Sequence, residues 1–121
     1  MFTVQVEKTI ACAHRLFGYA GPCENLHGHN YRIVVIYKGS RLDEFGMLVD
    51  FSDVKKRFFA ILDRLDHSYL NELPEFKEVS PSAENIARLI YTELSATPFE
   101  LAKLDEVQVW ETPTQMATYR E

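Results

Sequence analysis

Phe2, Val4 and Val6 alternate with Thr3, Gln5 and Glu7 at the start of the chain. Residues two apart share a face of a strand, so the alternation predicts a strand from residue 2 to about 13 with one apolar face. Residues 29–38, ending Tyr-Arg-Ile-Val-Val-Ile-Tyr-Lys, are rich in β-branched and aromatic side chains and predict a second strand. Gly18 to Pro22 forms the loop between them. Lys38-Gly39-Ser40 turns the chain, and a short extended piece follows around Met47 to Phe51. The period then changes. Val54, Phe58, Ile61, Leu62 and Leu65 recur at helical spacing up to Asp66, with Ser52 available as a cap. Residues 71–80 read as a polar loop. Ser80-Pro81 or Ser82 opens a second helix, since proline suits the first helical turn. Ile86, Leu89, Ile90 and Leu94 give that helix its apolar stripe, and Thr97-Pro98 ends it. Val107 and Val109 flank Gln108 in a third long strand, and Gln115 to Arg120 makes a fourth.

The order strand, strand, helix, helix, strand, strand predicts an α+β fold: a four-stranded antiparallel sheet with two helices on one face. The 121 residues form a single domain, 1–121, without repeat or linker, and their 46% hydrophobic content is enough for a real core. A four-stranded sheet covered on one face leaves its edges open, which favours association between copies.

Charge and cysteine count narrow the function classes. The formal net charge of −5 argues against nucleic-acid binding, which calls for a basic face. No apolar run reaches 18 residues, so no membrane span is expected. The N-terminus carries Glu7 and Lys8 in an alternating pattern, unlike a signal peptide. Cys12 and Cys23 are then expected to stay reduced in a cytoplasmic protein.

The chemistry concentrates in Cys23-Glu-Asn-Leu-His-Gly-His-Asn-Tyr31. His27 and His29 point to one face at the entrance to the second strand, where two imidazoles can share a metal. Gly28 between them allows the chain to bend around a ligand. His14, at the end of the first strand, joins them if the two strands pair as a hairpin. Three histidines leave one metal position open, as in catalytic zinc sites. Cys23 as a fourth ligand would instead close a structural site, and a His-x-His pair also occurs as a polar patch without metal. Spacing alone does not separate these readings. Asp66-His67 is either an oriented acid/base pair or a histidine at the negative end of a helix dipole. Glu111 shares the strand parity of Val107 and Val109, so it stands at a rim or in a pocket.

Taken in order, these pieces resemble the 6-pyruvoyltetrahydropterin and 6-carboxytetrahydropterin synthase family. The resemblance rests on Ala13-His14-Arg15-Leu16, Cys23, His27-Gly28-His29-Asn30-Tyr31 and Gly46-Met47-Leu48-Val49-Asp50-Phe51. Leu65-Asp66-His67, Leu70-Asn71, Pro81-Ser82-Ala83-Glu84-Asn85 and Glu111-Thr112 complete it. It implies a tunnelling fold, in which subunits form a trimeric barrel and two trimers stack as a homohexamer with active sites between subunits. It implies that His14, His27 and His29 hold Zn2+ and that Cys23 stays free for proton transfer. Asp66 and His67 would be a coupled acid/base pair from a neighbouring subunit. Glu111 would anchor the pterin, and Glu84 would line its pocket.

The resemblance also implies the reaction. The substrate would be 7,8-dihydroneopterin triphosphate. The short Cys-x-x-x-His-Gly-His form resembles bacterial 6-carboxytetrahydropterin synthases of the queuosine pathway, which release acetaldehyde and triphosphate. The alternatives are the 6-pyruvoyl product and, through Glu24, side-chain cleavage to 6-hydroxymethyl-7,8-dihydropterin. Arg15, beside a ligand, is a candidate phosphate contact or a solvated surface residue. Cys12 stands where relatives usually have alanine and reads as a small buried residue.

Overall fold

The structure, a computed structural model, describes residues 1–18 and 25–121. Cys23 and Glu24 therefore lie outside the described residues, as does most of the expected loop before them. Strands β1 (Phe2–His14) and β2 (His27–Gly39) precede helix α1 (Phe51–Leu65). A two-residue strand β3 (Ser68–Tyr69) leads to helix α2 (Ala83–Ser95), and strands β4 (Lys103–Thr112) and β5 (Gln115–Tyr119) close the chain.

The sheet order is β3-β1-β2-β4-β5. β1 and β2 pair antiparallel without a break, from Phe2 opposite Gly39 to His14 opposite His27. β2–β4 and β4–β5 are also antiparallel, whereas β3 lies parallel to β1. This corrects the expected four-stranded antiparallel sheet to a mixed sheet of five. β3 arises from docking rather than from periodicity. The Asp66 carboxylate accepts a hydrogen bond from the Ala11 N–H at 2.9 Å, and the His67 N–H donates to the Ala11 carbonyl. Those two bonds lay Ser68 and Tyr69 along β1, a contact too short to leave a pattern in sequence.

The core lies between one sheet face and the two helices. Ile10, Ile33, Val35, Val107 and Val109 meet Phe58, Leu62, Ile86 and Ile90, all at most 2% exposed. Each such side chain contributes about 1.5–3 kcal/mol by leaving water. Arg64 at the end of α1 joins α2 through Glu93 and the following turn through Glu75, each at 2.8 Å.

Local details differ from expectation where a side chain chose a different backbone partner. α1 is capped by Asp50, not Ser52: its carboxylate accepts from the Ser52 N–H at 2.8 Å and the Ser52 hydroxyl at 2.6 Å. Residues 47–51 do not form an extended strand piece. Asp43 accepts from the N–H groups of Phe45 and Met47, both at 2.9 Å, and Gly46 takes a left-handed φ of 80° in that turn. The polar loop of 71–80 contains two short 3-10 turns, which bury Leu70 and Phe76. Ser82 caps α2, accepting from the Asn85 N–H at 3.2 Å. Gly39 is required by close approach, because a Cβ there would collide with the Leu101 carbonyl and the Leu48 side chain.

Candidate metal centre

The β1–β2 register decides which histidines meet. His14 stands opposite His27, and Cys12 opposite His29. His14 shares the strand parity of Ile10, and His27 and His29 share that of Tyr31 and Ile33, so all three face the helices. Their ring centroids lie 4.4–5.1 Å apart, and one nitrogen from each falls within 4.8 Å of the others. Gly28 has no bending role in this arrangement. It pairs with Ala13 in regular strand register, and an added Cβ would meet nothing nearer than 3.8 Å.

Backbone carbonyls set the tautomers. The Nδ1–H of His14 donates to the Pro81 carbonyl at 2.6 Å, and that of His27 to the Asn25 carbonyl at 2.7 Å. A carbonyl only accepts, so both rings carry their proton on Nδ1 and a lone pair on Nε2. Those two Nε2 atoms face each other at 2.8 Å. Lone pairs at that distance repel unless a cation or a proton lies between them. The third nitrogen, His29 Nε2, is buried and has no hydrogen-bond partner among the described residues. Two converging lone pairs and one orphaned buried nitrogen fit a metal ion, and the three-nitrogen donor set suits zinc.

Electrostatics point the same way. Burial pushes the His14 imidazole below its ordinary value, against the pull of the Pro81 carbonyl. Burial also lowers His29, opposed by the Glu111 carboxylate 3.9 Å away. Neutral imidazoles are the form that binds metal. The Tyr31 hydroxyl lies 3.0 and 3.2 Å from the two ring nitrogens of His14 and adds a further contact to that ring. Sequence reading missed Tyr31 and the Pro81 carbonyl as supports of His14. Tyr31 shares the strand parity of the histidine pair and was legible on that ground. A backbone carbonyl 67 residues away leaves no sequence signal.

Glu111 lines two recesses. One, of about 540 Å³, is bounded by Gly28, His29, Asn30, Arg32, Trp110 and Thr112. The other, of about 180 Å³, brings in Glu84 and Met116. Glu111 thus links two recesses, one shared with His29 and the other with Glu84. A shift in the β4–β5 register between Trp110 and Thr112 falls at Glu111. Such irregularities re-aim side chains at sheet ends.

Asp66 and His67 do form a pair, with His67 Nδ1 at 2.9 Å from Asp66 Oδ1. The Ala11 N–H and the neighbouring imidazole hold the Asp66 carboxyl below the usual carboxylate range. His67 sits at φ 57°, a conformation unusual for a residue with a side chain, and its imidazole is 82% exposed. Its hydrogen bonds run to Asp66 and Ala11, and it is not among the three histidines whose nitrogens converge. Burial, with Asp66 adding to it, pushes the Cys12 thiol up to about 12, so Cys12 is a buried neutral thiol outside the histidine group. Arg15 is exposed, its backbone tied to the Asn71 side chain at 2.9 Å in both directions.

Comparison with known proteins places this geometry. The profile of the family described as 6-pyruvoyl tetrahydropterin synthase matches residues 3–121. The 6-carboxy-5,6,7,8-tetrahydropterin synthase of Haemophilus influenzae is 31% identical over 145 aligned positions, covering 100% of both chains. The human 6-pyruvoyl tetrahydrobiopterin synthase is 35% identical over 104 positions, 83% of this chain and 71% of the human one. The solved structure of Caenorhabditis elegans 6-pyruvoyl tetrahydropterin synthase superposes with a TM-score of 0.88 at 28% identity, covering 99% of this chain and 95% of that one. The chain belongs to the 6-pyruvoyl tetrahydropterin synthase family.

Proposed function

We propose that the chain is a zinc-dependent lyase that converts 7,8-dihydroneopterin triphosphate to 6-carboxy-5,6,7,8-tetrahydropterin, releasing acetaldehyde and triphosphate. The observation that carries the reading is the convergence of the His14, His27 and His29 nitrogens beside Glu111. The full-length match to the Haemophilus influenzae protein supports the carboxy product. That product belongs to queuosine synthesis, which makes the chain a cytoplasmic enzyme. No helix among the described residues is long and apolar enough to cross a membrane.

His14 and His27 would hold the ion through Nε2, with Nδ1 kept protonated by the Pro81 and Asn25 carbonyls, and His29 through its free Nε2. Bound zinc supplies Lewis-acid polarisation of the substrate's side-chain oxygens. Glu111 accepts two N–H bonds from the amidine edge of the pterin, a charge-assisted pair that fixes the ring. Glu84 borders the smaller recess that Glu111 also lines. Cys23 is the proton acceptor; a thiol close to a bound cation would ionise more readily than a free one. His67, oriented by Asp66, moves the second proton. Its exposure on its own chain suits a role in a neighbouring subunit's site, in a trimer-based homohexamer joined through open sheet edges. Glu24 is the residue that would support the alternative cleavage to 6-hydroxymethyl-7,8-dihydropterin.

Incubating the zinc-loaded protein with 7,8-dihydroneopterin triphosphate and identifying the pterin by mass tests the reading. The carboxy product is expected. A 6-pyruvoyl or 6-hydroxymethyl product would reassign the member within the family, and an unchanged substrate would refute the activity.

A further inference from the structure

The larger recess beside Glu111 contains one cation among its described lining residues, and it is not Arg15 but Arg32. Arg32 has the opposite strand parity from His29, so it stands on the sheet face away from the helices. The recess therefore wraps around the end of the β2–β4 ladder and exposes both faces to one space. Arg32 pairs with Trp110 across that ladder, and its guanidinium lies 4.5 Å from the centre of the indole ring. On its other side it donates to Glu7 of β1 at 2.8 Å. Trp110 is in turn held by a hydrogen bond from its Nε1–H to Gln108 at 3.0 Å. The guanidinium is thus held in position by two neighbours while still open to solvent.

We infer that Arg32 is the specificity-determining residue that binds the phosphate chain of the substrate; the inference rests on the proposed pterin triphosphate reading. The protein carries a net charge of −5, Glu111 adds negative charge at the recess, and Glu7 adds more beside Arg32. A polyanionic tail entering it needs a local cation. Arg32 lies three residues along β2 from His29, roughly 10 Å at 3.3–3.4 Å per residue. A substrate with its head on Glu111 therefore has a cation within the same recess for its tail. The Glu7–Arg32 pair is nearly half exposed on both sides, and such pairs contribute little to stability. Exchanging the Glu7 carboxylate for a phosphate is then a small rearrangement, because a guanidinium fork can donate two hydrogen bonds to either anion. Stacking on Trp110 keeps the fork in place during the exchange.

Titration of the zinc-loaded protein with inorganic triphosphate, followed by calorimetry, tests the assignment. Emission from Trp110, the single tryptophan of the chain, gives a second signal. Arg32→Gln should weaken triphosphate binding about tenfold or more, the loss of one charge-assisted pair. Arg32→Lys should fall between, keeping the charge without the fork, and Glu7→Gln should bind more tightly than the parent. In turnover, Arg32→Gln should raise KM for 7,8-dihydroneopterin triphosphate while leaving the affinity for unphosphorylated 7,8-dihydroneopterin unchanged. Parent-level triphosphate affinity in a folded Arg32→Gln protein overturns the assignment even if the enzyme turns over. A parent that binds triphosphate through Arg32 but converts no pterin supports the assignment and refutes the proposed reaction instead.

Discussion

The two ends of β2 each bury a polar atom that makes no hydrogen bond. Among the described residues these are the two buried side-chain atoms without a partner: His29 Nε2 at one end and the Tyr37 hydroxyl at the other. Both lie on the helix-covered face, eight residues apart on the same strand. At the first end, two further imidazole nitrogens and a carboxylate point at the same space. At the second, Tyr37 meets the Phe99 ring at 5.3 Å and borders a recess of about 400 Å³ with Leu94, Leu101 and Leu104. No histidine or cysteine lines it. Burial pushes the Tyr37 phenol up to about 12, with Arg57 pulling the other way. An unmade hydrogen bond costs about 1–3 kcal/mol wherever it is buried. It marks a ligand site only where other groups of compatible chemistry converge on the same point.

The largest effect expected at the histidine end is on metal. His27→Ala and His29→Ala should each lower zinc affinity about a hundredfold or more, since even outer-shell partners of metal ligands are worth about 10–100-fold. Tyr37→Phe should retain all its zinc. Metal analysis of the purified proteins decides, and full occupancy in both histidine variants would erase the difference between the two ends. Cys23→Ala sharpens the same test: zinc retained and synthase turnover lost marks a free thiol, whereas zinc and stability lost together mark a fourth ligand.

A smaller effect is expected one step out from the metal. Glu111→Gln preserves shape but sets an amide N–H against a pterin N–H. Pterin affinity, measured by calorimetry, should fall by about 1.5–3 kcal/mol with zinc content unchanged. Unchanged affinity would place the ring elsewhere.

The smallest effect belongs to the tyrosine end. Tyr37→Phe removes a buried hydroxyl that has no partner among the described residues, so denaturation at neutral pH should show a protein more stable by about 1 kcal/mol. Alkaline pH separates the two proteins. The unfolded phenol ionises near 10 and the folded one near 12, so the unfolded state gives up its proton first. The stability tied to Tyr37 is complete below pH 10 and is lost as pH rises towards 12, by an amount on the order of 2 kcal/mol. Tyr37→Phe should lack that loss. An identical alkaline profile in both proteins would mean that the hydroxyl is solvated.

Strand and helix periodicity was enough to define β1, β2, the two helices and β4, because each buries one face and so repeats at two or near three and a half residues; β5, with only Ala117 and Tyr119 half-buried, carries a weaker pattern. The His27/His29 pair was legible for the same reason: neighbours two apart on a strand cannot avoid sharing a face. His14 was legible only on the assumption that β1 and β2 pair, and the register that sets it opposite His27 is a tertiary fact. β3 had no pattern to read, since two residues carry no period and its existence depends on Asp66 and His67 binding Ala11. The choice of Asp50 over Ser52 as cap was likewise local competition, won by the carboxylate that reached the free N–H.

Residue types and spacing put His27 and His29 on one face beside Cys23 in the chain, with His14 and Glu111 at strand ends, and the ordered motifs gave the resemblance to a pterin synthase family. Which nitrogens are left to hold a metal was decided by carbonyls of Pro81 and Asn25, and which cation borders the cleft was decided by the β2–β4 pairing of Arg32 with Trp110. Side-chain chemistry is written in the sequence one residue at a time. Tautomer, register and the sharing of one recess by two sheet faces are properties of pairs distant in sequence, and only folding brings those pairs into contact.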